Sequence, residues 1–189
     1  MKIPISYPFT ALRYGKIAMA FHWLLALALF GIFGVGIYMA DLPVSPARLQ
    51  LYSWHKWAGV MFLVLSVARL LWRITHRPPH LPQQVLRAMP GWQLSAYKAT
   101  HWAMYLLFLL VPLVGWAYSS AAGYPVVLFA VLPLPDFVPA DKALAALIKP
   151  WHERSAFLLM ALVVLHVAAA MKHHWIDKDG LLQRMLPIK

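Results

Sequence analysis

The 189-residue sequence contains no cysteine. That absence excludes disulfides, thiolate-bound zinc, iron–sulfur clusters and haem tethered through thioethers. Carboxylates are scarce too: six Asp and Glu stand against 17 Lys and Arg, a formal net charge of +11. Charged residues make up only 12% of the chain, about half the share in an ordinary soluble domain. An excess of positive charge ordinarily points to nucleic acid. Here, however, the cations punctuate long apolar runs instead of coating one face, so no nucleic-acid partner is expected. What fills the sequence is 62% hydrophobic residues, a mean hydropathy of +0.64 and nine Trp, which suits a chain anchored at membrane interfaces. The composition is that of an integral membrane protein.

A bilayer core about 30 Å thick needs roughly 20 mostly apolar helical residues to cross it. Four segments qualify, at about residues 17–40, 51–74, 99–119 and 151–175. They predict an all-α, four-helix membrane bundle over a single membrane domain, residues 1–189. The first span is uncharged, and its apolar run is too long for the core of a cleaved signal peptide. The second contains Lys56 and Arg69, and the third carries Pro112 and Gly115, a predicted kink. With the N-terminus inside, twelve cations fall on the inner side (Lys2 and Lys189 among them) and five on the outer: Arg48, Lys56, Lys142, Lys149 and Arg154. The excess of inner Lys and Arg predicts that both termini are cytoplasmic. The outer segment 120–150 holds five prolines, which argue against a fifth span. Residues 141–148 are read as a short surface helix within it.

Four of the nine histidines, His22, His55, His101 and His166, lie inside apolar segments, and His152 lies at the outer mouth of the fourth. An ionisable group in a span is costly and marks a functional hypothesis by default. One such histidine is commonly a hydrogen-bonded packing residue; five in four segments are harder to explain that way. His152 and His166 are 14 positions apart, nearly four helical turns, so they share a face with a rise of about 21 Å. One helix thus offers an imidazole near each membrane face. At the outer depth the partner is His55. At the inner depth His22 and His101 compete, and depth favours His22, which lies six residues from Lys16 as His166 lies six from Lys172. Two imidazole pairs among carbon-rich neighbours suit haem iron with both axial positions filled better than zinc, which takes four ligands. Gly31, Gly34, Gly36 and Gly59 are read as making room for the macrocycles. Lys56 and Arg154 outside, and Arg13, Lys16 and Arg69 inside, are the cations available to haem propionates.

These residues form a recognisable set. Arg13-Tyr14-Gly15 precedes Phe21-His22-Trp23; Trp54-His55-Lys56 leads to Ala68-Arg69-Leu70. Thr100-His101-Trp102, Trp151-His152-Glu153 and Leu165-His166 with Lys172-His173-His174 follow in order. Together they resemble the bacterial cytochrome b561 family over about residues 13–187. The resemblance implies a four-helix bundle in the bacterial inner membrane with two non-covalent b haems, exchanging electrons with ubiquinone. It pairs His22 with His166 and His55 with His152. Some members resemble superoxide oxidases, which pass an electron from outer-face superoxide to quinone.

The expected function is therefore electron transfer across the bilayer between an outer-face donor, superoxide among them, and ubiquinone, with enzyme activity of the oxidoreductase class. The alternative is a membrane-anchor subunit relaying electrons for a periplasmic dehydrogenase or hydrogenase. His173 and His174, just past the fourth span, are the expected quinone-binding and proton-donating residues, with Lys98 and His101 as further contacts. Outer cations are expected to steer an anionic donor.

Overall fold

The computed structural model describes residues 13–186; Lys2 and Lys189 lie outside the described residues. Four long apolar helices dominate: α1 (Lys16–Asp41), α2 (Pro46–Thr75), α4 (Gly91–Ala121) and α5 (Lys142–Lys172), with a short α3 (Gln83–Ala88) between α2 and α4. Each of the four is long and apolar enough to cross a membrane. Ser45 opens α2 by accepting a hydrogen bond from the Arg48 amide at 3.2 Å, with Pro46 in the first turn, where its missing N–H is no loss. α1 packs beside α2, α2 beside α4, and α4 beside α5.

The helices outrun their expected spans. α4 begins at Gly91, eight residues before position 99. Residues 141–148 are not a separate surface helix but the cap and first turns of α5, which continues through Pro150. The reason is local: Asp141 accepts from the amides of Ala143 (2.7 Å) and Leu144 (3.2 Å), and a run of good helix formers follows. Pro150 removes one N–H, a loss that a packed membrane helix tolerates. The sequence signal for a break was real, but the cap upstream outweighs it.

At mid-height Leu25, Leu29, Phe62, Met104, Leu107, Leu159 and Val163 form the core. Leu27, Leu106 and Leu165 stay exposed on the outside, the surface that a lipid phase covers. One end of the bundle is capped by the segment after α4. It contains a two-stranded hairpin, β1 (Val127–Leu128) and β2 (Leu132–Pro133), turned through Phe129 and Ala130 in left-handed conformations (φ 51° and 60°). Trp57 Nε1 donates to the Val127 carbonyl at 2.6 Å, and Val126 is 1% exposed. At the opposite, terminal end, buried Arg184 donates to the carbonyls of Pro79 (2.8 Å) and His80 (3.0 Å). Trp23 Nε1 there donates to the Met185 carbonyl at 2.8 Å.

Candidate functional site

At the hairpin end, α2 and α5 bring His55 and His152 together, ring centres 6.3 Å apart and planes at 88°. Each imidazole is seated by a neighbouring helix. His55 Nδ1–H donates to the Ile32 carbonyl of α1 at 3.1 Å, and His152 Nδ1–H to the Val111 carbonyl of α4 at 3.1 Å. Both carbonyls lie four residues before a glycine that opens the helix surface to the ring. A Cβ on Gly36 would stand 3.0 Å from His55 Cε1, and one on Gly115 2.7 Å from His152 Cε1. With Nδ1 carrying the proton, Nε2 keeps its lone pair free for a metal; this is how outer hydrogen bonds orient a ligating histidine.

At the terminal end, His22 of α1 faces His166 of α5, ring centres 6.2 Å apart. Arg69 Nη2 lies 3.3 Å from His22 Nδ1. His101 of α4 also approaches His166, at 5.2 Å, and its Nδ1–H donates to the Tyr97 carbonyl at 2.8 Å. Spacing separates the two neighbours of His166. With metal–nitrogen bonds of about 2.0–2.1 Å, and each ring centre about one bond length behind its nitrogen, two imidazoles on opposite sides of one metal have centres about 6 Å apart. His55–His152 and His22–His166 meet that spacing; His101–His166 is too close.

Haem fits these surroundings. The donors are paired imidazoles with apolar neighbours, and an apolar slot of about 120 Å³ opens beside His55, lined by Gly31, Ile32, Val35, Trp54 and Ala58. Among the glycines expected to make room, Gly31 lines that slot and Gly36 seats an imidazole. A Cβ added at Gly34 or Gly59 would meet nothing within 4 Å. Gly115, read from the sequence as part of a kink, is the seat of His152; its role depends on which helix faces it, and no local signal carries that.

A second cleft, about 250 Å³, opens at the terminal end beside Arg69. Arg69, Arg73, Arg77, Tyr14 and Tyr105 line it, together with Trp72, whose ring stacks on His76 at 3.6 Å. Among the described residues no carboxylate lines it, and neither does His173, His174, Lys98 or His101. Lys98 is exposed. His174 lies beside Trp175, ring centres 6.1 Å apart. His173 sits in a wide π-type turn, its Nδ1 2.6 Å from Asp179 Oδ2 and 3.0 Å from Asp177 Oδ2. The spacing of His173, Asp177 and Asp179 was visible in the sequence, one helical turn and two residues, but only the turn shows that they converge.

Two of the cations expected at propionates, Lys56 and Arg13, are engaged elsewhere. Lys56 Nζ donates to the carbonyls of Tyr124 (3.2 Å) and Pro125 (3.3 Å), tying the cap to α2. Lys149, an outer cation expected to steer an anionic donor, pairs with Glu153 at 2.7 Å. Arg13 donates to the Leu186 carbonyl, pinning the chain's end to the start of α1. Arg154 and Lys16 are exposed.

The chain resembles known proteins over nearly its whole length. The family model described as prokaryotic cytochrome b561 matches residues 13–187. "Cytochrome b561 homolog 2" of Escherichia coli (strain K12) is 35% identical over 184 residues, covering 96% of this chain and 95% of that protein. "Cytochrome b561 homolog 1" of the same organism is 32% identical over 178 residues (93% and 97%). "Probable superoxide oxidase CybB" of Yersinia pestis is 27% identical over 177 residues (94% and 97%). Matched from Arg13 almost to its last residue, the chain belongs to the prokaryotic cytochrome b561 family, membrane-spanning b-type cytochromes that carry electrons.

Proposed function

We propose that the protein is a di-haem cytochrome of the bacterial inner membrane that takes electrons from superoxide at its outer face and delivers them to ubiquinone at its inner face. The terminal end is the cytoplasmic one in this reading, as the Lys and Arg distribution favours. The observation that carries it is the pair of imidazole couples, 6.3 and 6.2 Å between ring centres, held about 21 Å apart along α5. His55 with His152, and His22 with His166, would hold the two haems. Haem held by paired imidazoles would supply one-electron, outer-sphere transfer.

The chain's own residues do the rest. The Ile32 and Val111 carbonyls fix the tautomer and aim of the outer imidazoles. The core layer of Leu25, Phe62, Leu107 and Leu159 keeps water out between the two levels. Arg69 holds positive charge beside the inner pair, at His22. Outside, Lys142 and Arg154 draw an anionic donor towards the cap, Lys56 and Lys149 being engaged. Two superoxide anions give up one electron each and leave as dioxygen, and one quinone takes two electrons and two protons. His173, against Asp177 and Asp179, is placed to hold a proton and pass it to a quinone at the inner headgroup level. His174, Lys98 and His101 are the further quinone contacts in this reading.

The name of the Yersinia pestis relative favours this reading over a membrane anchor. The purified chain alone should reduce ubiquinone when supplied with superoxide. No turnover without a co-purifying partner would turn the reading to the anchor. In the His173→Ala, His174→Ala double variant both haems should stay bound and reducible while reoxidation by ubiquinone slows about a hundredfold, the lower end of what a positioned proton donor contributes. An unchanged stopped-flow rate would place the quinone elsewhere, at the arginine-lined cleft.

A further inference from the structure

Three arginines line the cleft of about 250 Å³ at the terminal end: Arg69 and Arg73 on α2, and Arg77 beyond its last residue, Thr75. Arg69 and Arg73 are four residues apart, so they share a face of the helix with a rise of about 6 Å between them. Both are half-buried, whereas Arg77 is exposed. The two half-buried guanidiniums lean on one aromatic ring. Arg69 Cζ lies 5.6 Å and Arg73 Cζ 5.2 Å from the centre of the Tyr105 ring, and Arg73 Nη1 donates to the Tyr105 hydroxyl at 3.4 Å. The ring attracts each cation but leaves the repulsion between them uncancelled.

The chain's own Asp and Glu do not answer these charges. Of the six, Asp41 closes α1, and Asp136, Asp141 and Glu153 belong to the hairpin end. Asp177 is held by Lys172 and His173, and Asp179 by His173 and the Leu181 amide. Among the described residues no carboxylate forms an ion pair with Arg69, Arg73 or Arg77. A cation at the edge of an apolar bundle ordinarily has a partner, so this one comes from outside the chain. The walls of the cleft are set in advance. Buried Arg184 donates to the Pro79 and His80 carbonyls, fixing the segment that brings Pro78 and Pro79 to the cleft, and its guanidinium lies over the Tyr14 ring at 5.5 Å. Trp72, stacked on His76 in the same wall, suits the depth of a membrane interface.

We propose that this cleft binds the phosphate headgroup of an anionic phospholipid, with Arg73 and Arg77 donating to the phosphate oxygens and the Tyr105 hydroxyl free to give its own hydrogen. A guanidinium fork matches phosphate oxygens two at a time. The arginines climb from half-buried Arg69 to exposed Arg77, the course along which a lipid passes from acyl chain to headgroup. Basic pockets between membrane helices on the cytoplasmic side are a recurrent site for anionic headgroups. Ubiquinone is uncharged and brings nothing to offset three guanidiniums. Arg69, 3.3 Å from His22, remains with the inner pair. The inference rests on the chain's spanning a membrane, not on the di-haem reading.

The test is native mass spectrometry of the purified holoprotein in neutral detergent, titrated with phosphatidylglycerol or phosphatidylcholine, with inorganic phosphate and ubiquinone as competitors. One phosphatidylglycerol per chain should bind in preference to phosphatidylcholine and survive release from detergent. In the Arg73→Gln, Arg77→Gln double variant it should bind about thirtyfold more weakly, the share of two arginines in attraction to an anionic lipid surface. The optical spectrum and haem content should stay as in the unmodified protein. Each single variant should show part of the loss, which keeps the test open if the double variant does not fold. Equal affinity for the two lipids, or equal phosphatidylglycerol affinity in the variants and the unmodified protein, would overturn the proposal. So would three other results: displacement by inorganic phosphate, which would assign the cleft to a soluble anion; displacement by ubiquinone, which would assign it to the quinone; and loss of haem from the folded variants, which would assign the arginines to propionates.

Discussion

The outer and inner histidine pairs are spaced alike, 6.3 and 6.2 Å, but they are held by unlike means. Outside, each imidazole is gripped by backbone: a carbonyl from α1 or α4 accepts its Nδ1–H, and a glycine four residues on lets the ring approach. Inside, the surroundings are side chains. The Arg69 guanidinium lies 3.3 Å from His22, and a third imidazole, His101, stands 5.2 Å from His166. Backbone seats fix tautomer and direction and carry no net charge. A guanidinium brings positive charge that stabilises an added electron nearby. The outer pair is therefore built for rigidity beside a closed cap. The inner pair is built for a positive potential beside an arginine-lined cleft. In the proposed reading, an electron moving inward would move towards the more positive environment.

Substituting the axial residues should give the largest effects. His55→Ala or His152→Ala removes the outer haem, and His22→Ala or His166→Ala the inner one, each visible as loss of half the b-type absorbance. His101→Ala should keep both. Loss of a haem from His101→Ala with retention in His22→Ala would make His101 the true partner of His166 and break the spacing comparison.

The glycine seats come next. Gly115→Ala places a methyl 2.7 Å from His152 Cε1, and Gly36→Ala places one 3.0 Å from His55 Cε1. Overpacking of this kind costs about 1–3 kcal/mol. Gly115→Ala should therefore lower outer-haem occupancy more than Gly36→Ala. Gly34→Ala, with nothing within 4 Å, should leave it unchanged. Equal occupancy in all three variants, by optical titration with added haem, would show that the glycines do not seat the rings.

The smallest effect tests the other half of the comparison. Arg69→Ala should leave both haems bound and lower only the inner midpoint, shifting its reduction equilibrium about tenfold, as for removal of one partly buried charge near the iron. A shift in both midpoints, or in the outer one alone, would contradict the assignment of Arg69 to the inner level.

Periodicity made the skeleton legible. Four apolar runs, and two histidines 14 residues apart in the last, are local facts, because a helix fixes rise and face from residue to residue. The helix ends were less legible. Pro150 reads as a break, and the Asp141 cap that overrides it acts from nine residues upstream. What the sequence could not display were contacts set by packing. Gly115 opposite His152, Lys56 on carbonyls 68 and 69 residues away, and buried Arg184 across the inner loop belong to that group. Lys56 and Arg13 look like free interfacial cations in one dimension because the carbonyls that accept from them lie far along the chain. The quinone candidates share that difficulty: His173 and His174 are adjacent in sequence, yet only His173 meets the carboxylates of the closing turn.

The central claim is that two facing imidazole pairs hold two haems in one chain without covalent attachment. A pyridine haemochrome assay on the purified protein, set against its protein concentration, tests it most directly. The prediction is two b haems per chain, both extractable by acidified acetone because no cysteine tethers them. One haem per chain, or none, would contradict it.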